Sequence, residues 1–453
     1  MNSWISRNLF YRPIYSFRGE HVERYMVEVR DFNGLTAAQM QKVQWKKLIT
    51  LLDHVSTHNP YYRTLFHTRN ISAKGIHAYT DFAQIPILTK DVLRQHIETM
   101  QSEGVWKVTA RKTSGSTGIP LHFVKDRVAS AYNDALMYEV YGWYGVRMGD
   151  RQSRFWGLPL DQKVRLKWQA KDLALNRKRF NSFNISAEYS TAFFRVLKRF
   201  HPQFIYGYPS AICEFAALTE QRGLHVRDLR IPVIITTGEM LFPAQRELLE
   251  HAFACPVANE YGSTENGVIA FQCRQGRMHL MNHNLYIEVL DPVSYAPVAA
   301  GEKGVVVVTE LHSYAFPFVR YRLGDIVVLS STTCPCGSAL PVVESIEGRV
   351  SDMIVALDGT RVSGPIINYT MTQGVRRFKA IQLSRERMQI LIEPASNFDQ
   401  SELYVIQERW HALLGRGVTV DIQMVESIPP DLSGKLRAFE SRIDENYAKE
   451  NSR

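Results

Sequence analysis

Eight residues, Thr113-Ser114-Gly115-Ser116-Thr117-Gly118-Ile119-Pro120, put four hydroxyls and two glycines into one short run. Glycine lets the backbone turn tightly, so that successive N–H groups converge on one point. A concavity of that kind, ringed by hydroxyls, suits a polyphosphate. The plain alternative is a Ser/Gly hairpin turn. The Walker pattern needs four residues between its glycines and then Gly-Lys-Ser/Thr, and no such stretch follows Gly115. A nucleotide held here is held by another kind of site.

Four later segments carry further chemistry: Tyr261-Gly262-Ser263-Thr264-Glu265-Asn266-Gly267, Tyr321-Arg322-Leu323-Gly324-Asp325, Glu347-Gly348-Arg349 and Ser433-Gly434-Lys435. The first offers a hard carboxylate in a glycine-bounded turn, apt for Mg²⁺. The last offers a compact cation on a flexible stem beside a glycine. Cys334-x-Cys336 is tight enough to grip one metal from a turn, and Cys273 and His279 lie upstream. Three thiolates and an imidazole would close a tetrahedral Zn²⁺ site of structural type. Cys-x-Cys is a less usual spacing for zinc than Cys-x₂-Cys, and reduced structural thiols are the alternative. The five cysteines are odd in number and the chain is long, which argues against a disulfide framework.

The order and spacing of these segments resemble the adenylate-forming superfamily of acyl-CoA synthetases, peptide-synthetase adenylation domains and luciferases. Within it the chain is similar to the phenylacetate–CoA ligase-like branch, including ligases associated with capsule and exopolysaccharide biosynthesis. Gln41…Leu48…His58-Asn59-Pro60-Tyr61-Tyr62-Arg63 near the N-terminus and Cys334-Pro335-Cys336-Gly337 ahead of Gly348-Arg349 carry that likeness, which runs over nearly the whole chain. It implies an α/β fold: a large N-terminal α/β domain with a β-rich subdomain, and a small mobile α+β C-terminal domain. The implied activity is ATP-dependent activation of a carboxylic acid. An acyl-adenylate and pyrophosphate form first, and the acyl group then passes to CoA or to another thiol, amine or hydroxyl.

Joining two anions in this way requires neutralised phosphate charge, in-line geometry and exclusion of water. By resemblance, Ser114, Gly115, Ser116, Thr117 and Gly118 serve the β- and γ-phosphates. Many relatives place lysine where Ile119 stands, so this loop relies more on backbone donors. Tyr261 would stack on adenine beside Gly262, Thr264 would contact the α-phosphate, and Glu265 would bind Mg²⁺. Asp325 would accept from the ribose hydroxyls, and Arg349 would meet ribose or phosphate beside a hinge at Ser351 or Asp352. Lys435 would bridge the acyl carboxylate and the α-phosphate when the small domain closes. Gly238 and Glu239 match a Gly-Glu pair of relatives. The loops Tyr206-Gly207-Tyr208-Pro209-Ser210 and Thr237-Gly238-Glu239-Met240 would line the acid pocket, which could hold an aryl, short aliphatic or amino-substituted acid.

These residues need elements to position them. Residues 1–100 read mostly helical. Ala37 to Thr57 places Leu48, Leu51, Leu52 and Val55 on one side, and His58-Asn59-Pro60 ends the pattern. Thr89 is a cap for a following helix. From about 105 to 300, apolar strands alternate with helical stretches: 204–210 leads into a helix over 210–222, and 233–239 into one over 243–253. Such alternation places function at strand C-terminal ends. Residues 301–330 turn to β character. A boundary is expected just after Arg349, giving domains 1–349 and 350–453. The latter carries strands near 378–384 and 388–393 and a helix near 400–414.

The chain has 453 residues, 45% of them hydrophobic, and a net charge of +9, an ordinary globular composition. No apolar run approaches the roughly 20 residues of a membrane helix. Arg7, Arg12, Pro13 and Arg18 interrupt the N-terminus, unlike a signal peptide. The expected location is therefore the cytoplasm. Residues 161–180 carry seven Lys/Arg against Asp161 and Asp172, and Lys163, Lys167 and Lys171 form one stripe of a helix. A solvated charged face is the simpler reading. An anionic membrane surface or a phosphorylated carrier is the functional one. Nucleic acid is disfavoured, because aromatics do not interleave with these charges. The contrasting reading of the whole chain is a non-catalytic scaffold that binds nucleotide or a membrane surface.

Overall fold

The computed structural model describes residues 1–113, 121–157, 162–182, 185–349, 354–358, 361–362, 370–372, 374–395, 398–429 and 438–443. Its contacts divide the chain into two compact units, 1–323 with 329–344, and 324–328 with 345–453.

The first unit begins with helices. Ser3–Ser6, a wider turn Arg7–Tyr11 and Arg12–Arg18 follow one another without a break. Tyr11 and Tyr15 face inward, whereas Ile5, Leu9, Pro13 and Phe17 face out. The helix Ala37–His58 opens on a reciprocal cap: the Thr36 hydroxyl accepts from the Gln39 N–H, and the Gln39 side chain accepts from the Thr36 N–H. Leu48, Leu51, Leu52 and Val55 are fully buried, as their spacing predicts. Asn59 then caps Pro60–Thr68. Thr89 caps Lys90–Gln95, its hydroxyl accepting from the Val92 N–H.

Strands β1 (Val108–Lys112) and β2 (His122–Asp126) pair antiparallel around the glycine-rich run. Thr113 and Leu121 clasp its base. The Thr113 N–H donates to the Leu121 carbonyl at 3.0 Å, and the Leu121 N–H donates to Thr113 Oγ1 at 2.9 Å. Asp126 ends β2 and caps the helix Arg127–Gly142 by accepting from Val128 and Ala129.

The main sheet has eleven strands. They are β3 (Gln152–Trp156), β4 (Arg177–Asn181), β5 (Phe204–Gly207), β6 (Ile234–Thr237), β7 (Val257–Ser263), β8 (Gly267–Gln272), β9 (Met278–Leu280), β10 (Leu285–Leu290), β11 (Lys303–Glu310), β12 (Tyr321–Leu329) and β13 (Val342–Arg349). Their order is β10-β11-β12-β13-β9-β8-β7-β6-β5-β3-β4. The run β4-β3-β5-β6-β7 is parallel. It is served by helices Ala187–Phe200, Pro209–Glu220 and Pro243–Phe253, as parallel pairing requires. Phe155, Phe180, Ile205, Phe215 and Ile234 form one core there. From β7 onward β8, β9 and β13 join antiparallel.

In the second unit β14 (Ile354–Val355) pairs with β15 (Arg361–Val362). β16 (Val375–Ser384), β17 (Arg387–Pro394), β18 (Thr419–Met424) and β19 (Phe439–Ser441) form a sheet in the order β18-β17-β16-β19. The helix Glu402–Leu414 buries Ile406, Trp410 and Leu414 in the same core as Ile390 and Ile392. The chain is thus α/β with a small α+β unit, as its sequence predicts.

Candidate active site

The clasp of Thr113 and Leu121 fixes where the glycine-rich loop leaves the β1–β2 hairpin. Ser114, Gly115, Ser116, Thr117 and Gly118 themselves lie outside the described residues. Beneath the hairpin, Lys125 of β2 pairs with Glu310, and both side chains are almost fully buried. Burial raises the Glu310 carboxyl above its usual range, against the opposing pull of Lys125. Asn133 donates to the same carboxylate at 3.3 Å and stands against Gly267, where a Cβ would lie 2.9 Å from its oxygen. Gly267 also has φ +71°. A side chain there would be strained twice over.

Gly267 ends the turn that begins at the C-terminal end of β7. Ser263 Oγ accepts from the Asn266 N–H at 3.0 Å and closes it. Tyr261 lies on β7, followed by Gly262. Thr264 is exposed at the tip, and Glu265 is half-buried beside it. Tyr321 donates its hydroxyl to Glu265 at 3.4 Å. One polar lattice, Lys125–Glu310–Asn133, therefore lies between the base of the glycine-rich hairpin and the Thr264–Glu265 turn. Gly238, with φ +76°, follows β6. Glu239 accepts from the Ser210 N–H at 3.2 Å, so the two loops assigned to the acid pocket are joined.

The Tyr206–Pro209 loop leaves β5. A Cβ on Gly207 would lie 2.1 Å from the Phe155 carbonyl oxygen; only glycine permits that approach of β5 to β3. Tyr206 donates to Glu260 Oε1 at 3.0 Å and Tyr141 to Oε2 at 2.6 Å. Burial raises the Glu260 carboxyl, and the hydroxyl donors pull the other way. Trp156 stacks on Tyr208 at 4.3 Å and on Tyr206 at 6.0 Å between ring centroids. Arg154 lies against Trp156 and Tyr206, its guanidinium carbon 4.9 and 5.0 Å from their centroids. Sequence reasoning found Tyr206, Gly207, Tyr208 and Pro209 but missed Arg154, Trp156, Tyr141 and Glu260. The strand Gln152-Ser153-Arg154-Phe155-Trp156 is mixed polar and apolar, so no pattern in it marked Arg154.

Asp325 lies on β12 just after Gly324, whose φ is +86°, and within the stretch 324–328 of the second unit. Arg349 is the last residue of β13; its side chain is outside the described residues. So are Ser351, Asp352 and Lys435.

Cys273, His279, Cys334 and Cys336 come together in the first unit, their ligand atoms all within 4.8 Å of one another. Cys273 Sγ and Cys334 Sγ are 3.7 Å apart. Two thiolates on one tetrahedral zinc, with Zn–S about 2.3 Å, stand roughly 3.8 Å apart. Cys336 Sγ lies 3.4 Å from His279 Nε2, against roughly 3.5 Å for a thiolate and an imidazole on one zinc. His279 Nδ1 faces the Leu340 carbonyl at 3.3 Å, which leaves Nε2 free to ligate. The Cys336 N–H points at Cys334 Sγ, and Gly337 turns the chain with φ +83°. The donor set and its spacing fit Zn²⁺.

Comparison with known proteins agrees with this architecture. Residues 357–441 match the family described as the CapK C-terminal domain. Protein CapK of Staphylococcus aureus is 22% identical over 437 residues, covering 92% of each chain. A phenylacetate–coenzyme A ligase of Thermus thermophilus is 25% identical over 438 residues, covering 91% of this chain and 90% of the relative. Among solved structures, a 2-hydroxyisobutyryl-CoA ligase in its postadenylation state superposes with a TM-score of 0.75 at 19% identity, over 92% of each chain. An anthranilate CoA ligase bound to anthranoyl-AMP gives 0.54 at 15%, over 73% of this chain and 65% of that one. The chain therefore has the fold of the adenylate-forming ligases, its homologues are CapK and the phenylacetate–CoA ligases, and it carries a CapK C-terminal domain.

Proposed function

We propose that this chain is an AMP-forming acid ligase. A carboxylate oxygen of the acid attacks the α-phosphorus of ATP. The bond to pyrophosphate breaks, and acyl-AMP remains. A nucleophile, CoA or an amine or hydroxyl of a sugar or carrier, then attacks the acyl carbonyl and AMP leaves. The observation that carries this reading is the Thr264–Glu265 turn at the C-terminal end of β7, in a chain aligned over about nine-tenths of its length with an acid–CoA ligase.

In this reading Ser114 through Gly118 cradle the β- and γ-phosphates. Thr264 touches the α-phosphate, and Glu265 would hold Mg²⁺, which would supply positive charge to offset that of the phosphates. Asp325 and Arg349 hold the ribose end, and Lys435 arrives with domain 350–453 to neutralise charge in the transition state. Gly238, Glu239 and the Tyr206–Pro209 loop enclose the acid. Cys273, His279, Cys334 and Cys336 would hold a structural Zn²⁺. The resemblance to capsule- and exopolysaccharide-associated ligases supports polysaccharide assembly as the setting. The test is ATP- and Mg²⁺-dependent pyrophosphate release with hydroxylamine as trap, over aryl, aliphatic, hydroxy and amino acids. Release with one acid class, lost in Lys435→Ala, supports the reading; ATP binding without release from any acid overturns it.

A second reading, peripheral contact with an anionic membrane surface, is favoured by two neighbouring helices. Outward on the first are Ile5, Leu9, Pro13 and Phe17, with Phe17 93% exposed. It touches the end of the basic helix Gln162–Ala174 through Ser6 and Tyr11. That helix exposes Leu166, Lys167, Lys171 and Leu173, the mixture an interfacial helix presents. Among the described residues no helix is long and apolar enough to cross a membrane. Co-sedimentation with phosphatidylserine vesicles, lost in Leu9→Glu with Phe17→Glu, would support the contact; sedimentation unchanged by both substitutions would exclude it.

A further inference from the structure

Arg154 has an environment that the reaction above does not use. Strand alternation puts it on the same face of β3 as Trp156. Its register partners are Tyr206 on β5 and Arg179 on β4. The guanidinium lies over the rings of Trp156 and Tyr206, which orient a planar cation without taking its N–H donors. Its Nε is buried and has no hydrogen-bond partner; Glu260 lies near enough for the Arg154 charge to favour its carboxylate, but no hydrogen bond joins the two.

The nearby acids are already engaged. Both Glu260 oxygens accept from tyrosines, and Asp172 holds Arg179 through two hydrogen bonds of 2.9 Å. Burial, with repulsion from Arg177 and Arg179, brings the Arg154 pKa down to about 10. The group is still charged at neutral pH. The side chain is only partly buried, but a buried Nε with no acceptor is costly unless something pairs with it. Arg154 stands beside Tyr206, a side chain assigned to the acid pocket, and beside Trp156.

We propose that Arg154 is a specificity-determining residue that takes a second oxyanion, a carboxylate or a phosphate, carried by the acid substrate away from the carboxyl that is activated. The inference rests on the ligase reading for its placement in an acid pocket. A fork of N–H donors on an aromatic base is suited to such a group. A site built to hydrogen-bond a substituent rejects the analogue that lacks it much more strongly than an apolar pocket rejects a missing methylene. The preferred acid is then dianionic or more, not a simple aryl or aliphatic monoacid.

The test uses the full chain and matched probes: benzoate against terephthalate and 4-phosphonobenzoate, and hexanoate against adipate. Binding is measured by calorimetry without ATP, and turnover by pyrophosphate release. At least one second-oxyanion probe should bind wild type at least tenfold more tightly than its monoacid partner. Arg154→Gln should bring that ratio close to one, and Arg154→Lys should keep part of it. The terephthalate and phosphonate arms tell which oxyanion is taken. Equal binding of matched probes by wild type, or a ratio unchanged in Arg154→Gln, overturns the assignment. Should Arg154→Gln not fold, the wild-type ratio and Arg154→Lys decide. A binding preference without turnover of any acid would sink the ligase reading and leave Arg154 as an oxyanion site. Turnover of monoacids with equal kcat/KM in wild type and Arg154→Gln would do the reverse.

Discussion

Two polar clusters lie on one sheet and solve opposite problems. On the antiparallel side, Cys273, His279, Cys334 and Cys336 converge within 4.8 Å from short turns. Their backbone neighbours hold each ligand in place, and one small ion would complete the set. On the parallel side, Arg154, Tyr206, Glu260 and Tyr141 come from β3, β5, β7 and the helix Arg127–Gly142. Each oxygen of their carboxylate accepts from a tyrosine, while the Arg154 Nε has no hydrogen-bond partner. The first cluster is closed around its own geometry, as structural metal sites are. The second is open, as sites awaiting a ligand are. A polar group is informative according to whether its partners are already in the chain.

Predictions that would break or sharpen this contrast run from large to small. Lys435→Ala should lower pyrophosphate release by about 10²–10³-fold while leaving ATP affinity and zinc content unchanged. A variant with normal acyl-adenylate formation would remove Lys435 from the chemistry. Protein purified without chelator should hold one zinc per chain. Cys334→Ser should lose it with a destabilisation of more than about 4 kcal/mol, seen by denaturant unfolding. Zinc-free wild type of unaltered stability would mean that the cluster is only reduced thiols.

Tyr141→Phe removes one donor from a buried carboxylate and should cost about 1–3 kcal/mol. A loss no larger than that of an exposed substitution would mean that the Glu260 network carries no stability. The smallest effect concerns pH. Burial raises the Glu260 carboxyl, so the folded state binds its proton more tightly than the unfolded state. That contribution favours folding below the ordinary glutamate range and is lost as pH rises toward the folded value. Glu260→Gln should therefore flatten the stability–pH curve above about pH 4.3; parallel curves for the two proteins would contradict the raised value.

Local elements were legible where pattern and punctuation agreed. Leu48, Leu51, Leu52 and Val55 mark one face of a helix that Asn59-Pro60 ends, and Thr89 caps as its type suggests. The strands of the second unit and the helix Glu402–Leu414 fall within a few residues of expectation. The helix Arg127–Gly142 gave no such signal, because it buries Ala129, Ala131, Tyr132, Ala135, Leu136 and Val140 around much of its girth and so lacks a clear polar face. The four metal-type ligands were legible by residue type, and the fold confirms that they meet. Arg154 and Glu260 were not legible as neighbours. They are distant in sequence, and only the order β3-β5-β6-β7 brings them to one pocket.

The clasp between Thr113 and Leu121 separates what the chain can vary from what it must keep. Because the hairpin is already shut below the glycine-rich run, the ends of that run are joined whatever residues lie between them. Substitutions in that run, such as isoleucine at 119 where the resemblance implies lysine, then need not repay the closure each time. In the proposed ligase the phosphate grip would then be a replaceable cartridge in a fixed holder, its affinity free to change while β1 and β2 stay in register.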